Sequence, residues 1–157
     1  MPPVSHLYIT GVADPGTGET GTLFFTEEEL HALVTSGALE SANVWFEHGD
    51  QWRKNMGRIS HAWVQPGEGL KVAICLDAHE LCATTVFEWI KAGLFRGLSL
   101  GYKASVDPVS FATQHKDVHE ISIVHTPFHP SCWIDGIFQQ TGNRTHYYLD
   151  RKSMPTA

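Results

Sequence analysis

Three positions in the sequence carry residue types that could perform acid–base or nucleophilic chemistry. His48 follows alternating apolar residues and precedes a Gly-Asp pair, where a strand meets a loop. Ser99 lies in Gly-Leu-Ser-Leu-Gly at 97–101, and the glycines would let a substrate backbone approach its hydroxyl closely. The pair His119-Glu120 opens a β-branched segment. A serine nucleophile, an imidazole base and an acidic partner together can perform acyl transfer.

Each of these positions also has a purely structural interpretation. A lone histidine at a strand end is merely structural in roughly half of cases. A serine between two leucines, such as Ser99, is in isolation more often a small residue packed under a helix. The functional interpretation therefore depends on whether the elements bring the three positions together.

Strand alternation separates the two neighbouring candidates at the third position. Successive side chains of a strand point to opposite faces. Glu120 therefore shares a face with Ser122, whereas His119 shares the other face with Ile121. Only one of the pair can face His48.

The elements that must hold these residues are mostly strands. Period-two patterns predict strands over 6–12, 43–48, 59–64, 72–76, 98–105 and 118–124, with 59–64 and 72–76 forming a hairpin. Beyond Asp135 the signals are weak. Since strands outnumber helices by about three to one, the pattern predicts a mainly β fold with flanking helices (α+β). The expected architecture is a small, closed or nearly closed antiparallel β-barrel of about six to seven strands surrounded by helices.

Two helices are predicted from capping residues. Thr26 with Glu29 three positions later forms a capping box, and Gly37 closes that helix. Asp77 with Glu80 repeats the pattern for a second helix, which runs to Gly93.

Length, charge and cysteine content limit the classes of protein. The 157 residues, 42% of them hydrophobic, predict a single domain over 1–150 with a flexible tail over 151–157. The formal charge of −6 with scattered basic residues argues against a nucleic-acid partner. The short apolar runs and the absence of a signal-peptide pattern argue against a membrane partner. The three cysteines lack a CxxC spacing and are interpreted as free thiols in a reducing compartment.

The order and spacing of the motifs resemble the capsid-maturation serine proteases, which comprise the herpesvirus assemblins and the tailed-phage prohead proteases. The resemblance includes a strand ending in His-Gly-Asp at 48–50, a helix leading into Gly-Leu-Ser-Leu-Gly at 97–101, and Glu-Ile-Ser-Ile-Val at 120–124. The segments 8–13 and 23–30 look like the herpesvirus N-terminal strand and first helix.

The resemblance implies a role for each candidate. Ser99 would be the nucleophile and His48 the general base. Glu120 is in register with the third catalytic residue of the family and is the favoured third member. His119 is its rival, because the herpesvirus branch uses a second histidine at this strand.

The resemblance also implies an oxyanion hole and a set of partners. The backbone around Phe128 and His129 is expected to donate to the oxyanion. No metal and no cofactor is expected. The expected substrate is the capsid scaffold protein, and a homodimer is an oligomeric state that the resemblance allows.

The implied function is a serine endopeptidase that cleaves the capsid scaffold and itself during procapsid maturation. It would act in the host cell within assembling capsids, in the nucleus if herpesvirus-like and in the cytoplasm if phage-like. Assemblins cut after alanine, so Ala157 is interpreted as a self-cleavage product, with an arbitrary end as the equal alternative.

Other classes of function remain open from the sequence. A non-catalytic capsid or scaffold interaction module could use the same barrel. His125, His129 and Cys132 could converge on zinc, which is the minority interpretation of the ten histidines. A glycosidase would need a carboxylate partner for Glu120, and only Glu47 or Asp50 is available.

Overall fold

The fold is given by a computed structural model that describes residues 5–19, 21–50 and 52–150. Within these ranges the strands are β1 (Ser5–Asp14), β2 (Asn43–Phe46), β3 (Gly57–Gln65), β4 (Gly69–Leu76), β5 (Gly97–Val106), β6 (Thr113–Val124), β7 (Ile134–Thr141) and β8 (Arg144–Leu149). The α-helices are α1 (Glu27–Thr35) and α2 (Leu81–Lys91). The predicted tail over 151–157, with its hypothetical cleavage end, lies outside the described residues.

The strands form two sheets. The five-stranded sheet has the order β3-β4-β1-β7-β8 and is antiparallel throughout. The three-stranded sheet has the order β2-β6-β5, in which β5 is antiparallel and β2 is parallel to β6. The predicted hairpin of the third and fourth strands is confirmed.

The predicted closed or nearly closed antiparallel barrel of six to seven strands is wrong. Neither sheet closes on itself in the described part of the chain, and the parallel pair of β2 with β6 contradicts a wholly antiparallel arrangement. An isolated bridge between Gly97 and Trp133 links the sheets where a barrel would need a continuous ladder. Pro127 and Pro130 lie in the segment before this bridge, and a residue without an N–H cannot extend such a ladder.

Both sheets and both helices contribute to one cluster of buried apolar side chains. Ile9 of β1, Ile74 of β4 and Ile121 of β6 are completely buried in it, together with Leu30 of α1 and Ile90 of α2. The second face of the three-stranded sheet is therefore free to carry polar residues.

The first helix confirms its predicted capping box, and the second helix does not. The Thr26 hydroxyl accepts a 3.1 Å hydrogen bond from the Glu29 N–H, and the Glu29 carboxylate accepts one of 3.0 Å from the Thr26 N–H. The predicted box of Asp77 with Glu80 is wrong, because the Asp77 carboxylate accepts from the N–H of His79 and α2 begins only at Leu81.

The sequence pattern missed the last two strands. β7 and β8 form an antiparallel hairpin where the signals were weak. All three cysteines are free thiols, as predicted. Among the described residues, no helix has both the length and the hydropathy that a membrane crossing needs.

Candidate active site

Ser99 lies on β5, on the face of the three-stranded sheet that does not form the core. Its neighbours Leu98 and Leu100 are buried in the core, so alternation turns Ser99 the other way. Gly101 lies two residues further along the same face, opposite Glu120 of β6. A Cβ at position 101 would overlap the Glu120 carboxylate. The glycine therefore keeps space for that carboxylate beside the serine.

His48 lies in a left-handed turn rather than at the end of a strand. β2 ends at Phe46, and the backbone φ angles of Glu47, His48 and Gly49 are +49°, +57° and +78°. Residues other than glycine rarely adopt this conformation, and each costs on the order of 1–3 kcal/mol. The predicted strand over 43–48 therefore ends two residues earlier than expected, and the turn aims the His48 imidazole instead.

Two hydrogen bonds from β6 and the loop after it hold this turn. The His48 backbone N–H donates to Ser122 Oγ at 3.0 Å. The Glu47 carboxylate accepts a hydrogen bond of 2.5 Å from the His125 N–H. Strained backbone persists where surrounding contacts over-determine it, and such sites cluster at functional centres.

Glu120 and His48 form a hydrogen-bonded pair. The distance from His48 Nδ1 to Glu120 Oε1 is 2.5 Å, and Ser122 Oγ donates to the other carboxylate oxygen. Glu120 is only 2% exposed, whereas the His48 side chain is 48% exposed. The hydrogen bond with Glu120 raises the pKa of His48 above its ordinary value, although burial opposes this. With its Nδ1–H donated to the carboxylate, neutral His48 keeps the Nε2 lone pair free to accept a proton.

His119, the predicted rival of Glu120, faces elsewhere. Gly101 of β5 pairs with Glu120 of β6, and the next residue, Tyr102, pairs with Val118. This β-bulge skips His119, which therefore has no partner on β5. The His119 ring packs edge-on against Trp45 with a centroid distance of 5.8 Å. Its Nδ1 is buried and has no hydrogen-bond partner within the described residues. The catalytic roles of Glu120 and His119 stay predictions, but only Glu120 contacts His48.

A single cavity contains the predicted nucleophile, base and oxyanion residues. Its volume is about 220 Å³, and its walls are Asp14, His48, Ser99, Leu100, Tyr102, Phe128 and His129. Phe128 is 70% exposed at the rim. A Cβ on Gly97 would lie 2.8 Å from Pro127 Cδ, so the loop that carries Phe128 packs tightly on the start of β5. The oxyanion role of Phe128 and His129 stays a prediction.

Sequence reasoning missed two residues of this cavity. Asp14 ends β1 and precedes a Pro-Gly turn. An aspartate is common at such a position, so the sequence indicated a turn residue and not a cavity residue. Tyr102 follows the Gly-Leu-Ser-Leu-Gly segment, and its hydroxyl donates to the Leu23 carbonyl at 2.6 Å. Neither has a local pattern that distinguishes it from a structural residue.

The zinc interpretation has no support in the geometry. Within the described residues, no group of three or more His, Cys, Asp or Glu side chains is arranged to hold a metal ion. His125 Nδ1 contacts the Thr126 hydroxyl at 2.9 Å, while His129 faces Asp14. Burial raises the pKa of Cys132 to about 12, which disfavours the thiolate that zinc requires.

Comparison with solved structures gives a weak similarity of fold. No protein-family model matches the chain, and no curated protein matches it in sequence. A crystal structure of KSHV protease in complex with a hexapeptide phosphonate inhibitor is similar over 75% of this chain, with a TM-score of 0.46 and 14% identity. The matched part is 59% of that protease chain, so this chain spans less than two thirds of its length. So low a similarity carries no argument about activity.

Proposed function

We propose that the chain is a serine endopeptidase in which Ser99 is the nucleophile, His48 the general base and Glu120 the residue that orients the base. The observation that carries this proposal is the hydrogen bond between Glu120 and His48 Nδ1, made at the wall of the cavity that also contains Ser99. A carboxylate on Nδ1 fixes the tautomer that leaves Nε2 as acceptor and stabilises the imidazolium that forms.

The reaction follows from these atoms. His48 Nε2 takes the proton of Ser99 Oγ while the oxygen attacks the peptide carbonyl carbon. The tetrahedral oxyanion accepts hydrogen bonds from the backbone around Phe128 and His129, and His48 then protonates the leaving amine as the C–N bond breaks. Water, deprotonated by His48, hydrolyses the acyl-serine and regenerates the hydroxyl.

The proposed substrate is a capsid scaffold protein. This part of the proposal is supported by the resemblance of 48–50, 97–101 and 120–124 to the capsid-maturation proteases. Self-cleavage during procapsid maturation belongs to the same proposal.

One observation favours the alternative, a non-catalytic interaction module. None of the hydrogen bonds among the described residues involves Ser99 Oγ, so His48 and Ser99 share a cavity without a hydrogen bond between them. Catalytic hydrogen bonds are often long in unliganded enzymes and tighten when substrate binds. The two functions therefore differ in whether Ser99 reacts.

The proposal is tested by peptide cleavage. The protein is incubated with a peptide library made from a proteome digest, and new termini are identified by mass spectrometry. The wild type and Ser105→Ala, a matched variant of an exposed serine on β5, should produce the same set of new termini. Ser99→Ala should produce none. New termini from Ser99→Ala, or none from a folded wild type, would overturn the proposal.

A further inference from the structure

Asp14 is a buried carboxylate on the wall of the candidate active-site cavity. The residue is 4% exposed. Its Oδ1 accepts a 2.9 Å hydrogen bond from the Gly16 N–H. Among the described residues, one basic group lies within 4 Å of its Oδ2, His129 Nε2 at 3.6 Å, which is longer than an N–H···O hydrogen bond. One oxygen of a buried carboxylate is therefore left without a close donor.

The charges around Asp14 make this oxygen an acceptor for an incoming donor. Burial raises the pKa of Asp14, and the Gly16 N–H, His129 and Lys116 only partly oppose it. Lys116 is itself paired with Glu29 at 2.7 Å. The walls of the cavity contain two histidines and no lysine or arginine. A buried carboxylate of this kind is stabilised by any ligand that brings an N–H donor.

The position of Asp14 relates this acceptor to the cleaved bond. Asp14, Ser99 and His48 line the same cavity, whose volume of about 220 Å³ suits one side chain. The Tyr102 ring supplies apolar surface that can pack against the stem of that side chain. A substrate residue that reaches Ser99 therefore places its side chain near Asp14.

We propose that Asp14 is a specificity residue that selects substrates with a basic side chain next to the cleaved bond. The inference rests on the proposed protease function and names its substrate class. It differs from the alanine preference that the sequence resemblance implies. An apolar side chain would leave the Asp14 oxygen unpaired, and sites built to bind a polar group reject analogues that lack it.

The test uses three diphenyl aminoalkylphosphonates, which carry the side chains of lysine, norleucine and alanine. Norleucine matches the lysine stem without the amine. The second-order rate of adduct formation is measured by intact-mass spectrometry, and the lysine-to-norleucine ratio is the readout. In the wild type this ratio should be about tenfold or more, the effect of one charged hydrogen bond. Asp14→Asn should bring the ratio close to one, while Asp117→Asn, an exposed carboxylate on β6, should keep the wild-type ratio.

The outcomes separate this inference from the proposed function. A small fluorophosphonate without a side chain reports whether Ser99 is reactive at all. If it labels Ser99 and the wild-type ratio is near one, or alanine reacts fastest, Asp14 does not select basic substrates and the protease proposal stands. A ratio that persists in Asp14→Asn also overturns the inference. If a folded wild type is not labelled by the fluorophosphonate, both proposals fail. The wild-type ratio needs no variant, so a variant that fails to fold leaves the test valid.

Discussion

Two buried carboxylates, Asp135 and Glu120, have the same kinds of hydrogen-bond partner, but their basic partners differ in exposure to solvent. Each accepts one hydrogen bond from a hydroxyl and pairs with one basic side chain. The partner of Asp135 in the five-stranded sheet is Lys71, and both of these side chains are buried. The partner of Glu120 is His48, whose side chain is about half exposed in the cavity of Ser99.

The difference shows how one chemical arrangement can serve stability or reaction. A buried lysine ammonium cannot leave its carboxylate without losing its compensation, so the Lys71–Asp135 pair has a structural role. An imidazole can gain or lose a proton near neutral pH, and its exposed edge can meet a substrate. We therefore expect variants of the first pair to change the free energy of unfolding, and variants of the second to change the reactivity of Ser99.

The largest expected effect is that of Glu120→Gln on reactivity. The amide keeps the shape of the carboxylate but cannot stabilise an imidazolium, so the rate of fluorophosphonate labelling of Ser99 should fall about a thousandfold. His119→Gln is the neighbouring control and should change the rate by less than about tenfold, because His119 does not contact His48. If His119→Gln slowed labelling more than Glu120→Gln does, His119 and not Glu120 would be the residue that orients the base. Rates are measured by intact mass at fixed pH.

The matching change in the other pair is Asp135→Asn. It leaves the buried Lys71 ammonium without a compensating charge, so the free energy of unfolding should fall by about 3–5 kcal/mol. The labelling rate of the folded fraction should stay within about twofold of the wild type. Urea denaturation measures the free energy of unfolding. The labelling rate is measured at low urea concentration, where the variant is folded. A loss of labelling without a loss of stability would break the distinction between the pairs.

Each carboxylate also accepts a hydrogen bond from one hydroxyl, and removing these hydroxyls separates the two sites further. Ser122→Ala removes the donor to Glu120 and the acceptor of the His48 N–H, so labelling should slow about ten- to hundredfold. Thr10→Val removes the equivalent hydroxyl from Asp135 and should cost about 1–3 kcal/mol of stability with no change in labelling. If Ser122→Ala slowed labelling no more than Thr10→Val does, the Ser122 hydroxyl would not act through the reacting site.

The smallest effect concerns pH. His48 must be neutral to accept the Ser99 proton, so the labelling rate should rise as pH rises through the pKa of His48. Because the hydrogen bond with Glu120 raises this pKa, the wild-type midpoint should lie above the ordinary value of 6.5. In Glu120→Gln the burial of the ring remains and lowers the pKa, so the midpoint should fall below the wild-type value. Identical midpoints in labelling rates between pH 5 and 9 would contradict the pairing.

Strand alternation, together with the register that the family resemblance implies, was sufficient to predict which residue meets His48. Alternation along β6 separated Glu120 from His119, and the structure brings Glu120 to His48. The capping box of Thr26 with Glu29 was equally visible, because both partners lie within one helical turn. Such features depend on neighbours in sequence.

Features that depend on distant partners could not be predicted. The parallel pairing of β2 with β6 and the division of the strands into two sheets arise from pairings between distant segments of the chain. Gly136 lies in β7, where a Cβ would overlap the Thr10 hydroxyl that binds Asp135. The left-handed backbone of His48 is held by Ser122, which lies more than seventy residues away. Asp14 likewise lines the cavity together with residues that are distant in sequence, such as Ser99 and His129.

Labelling of Ser99 tests the proposed catalytic site most directly. Wild type and Ser99→Ala are treated with a fluorophosphonate, and their intact masses are compared. A single adduct should form on the wild type and be absent from Ser99→Ala, because a serine becomes reactive only beside an oriented base. A folded wild type that gains no adduct, or a Ser99→Ala variant that gains the same adduct, would contradict the assignment of Ser99, His48 and Glu120 as a catalytic site.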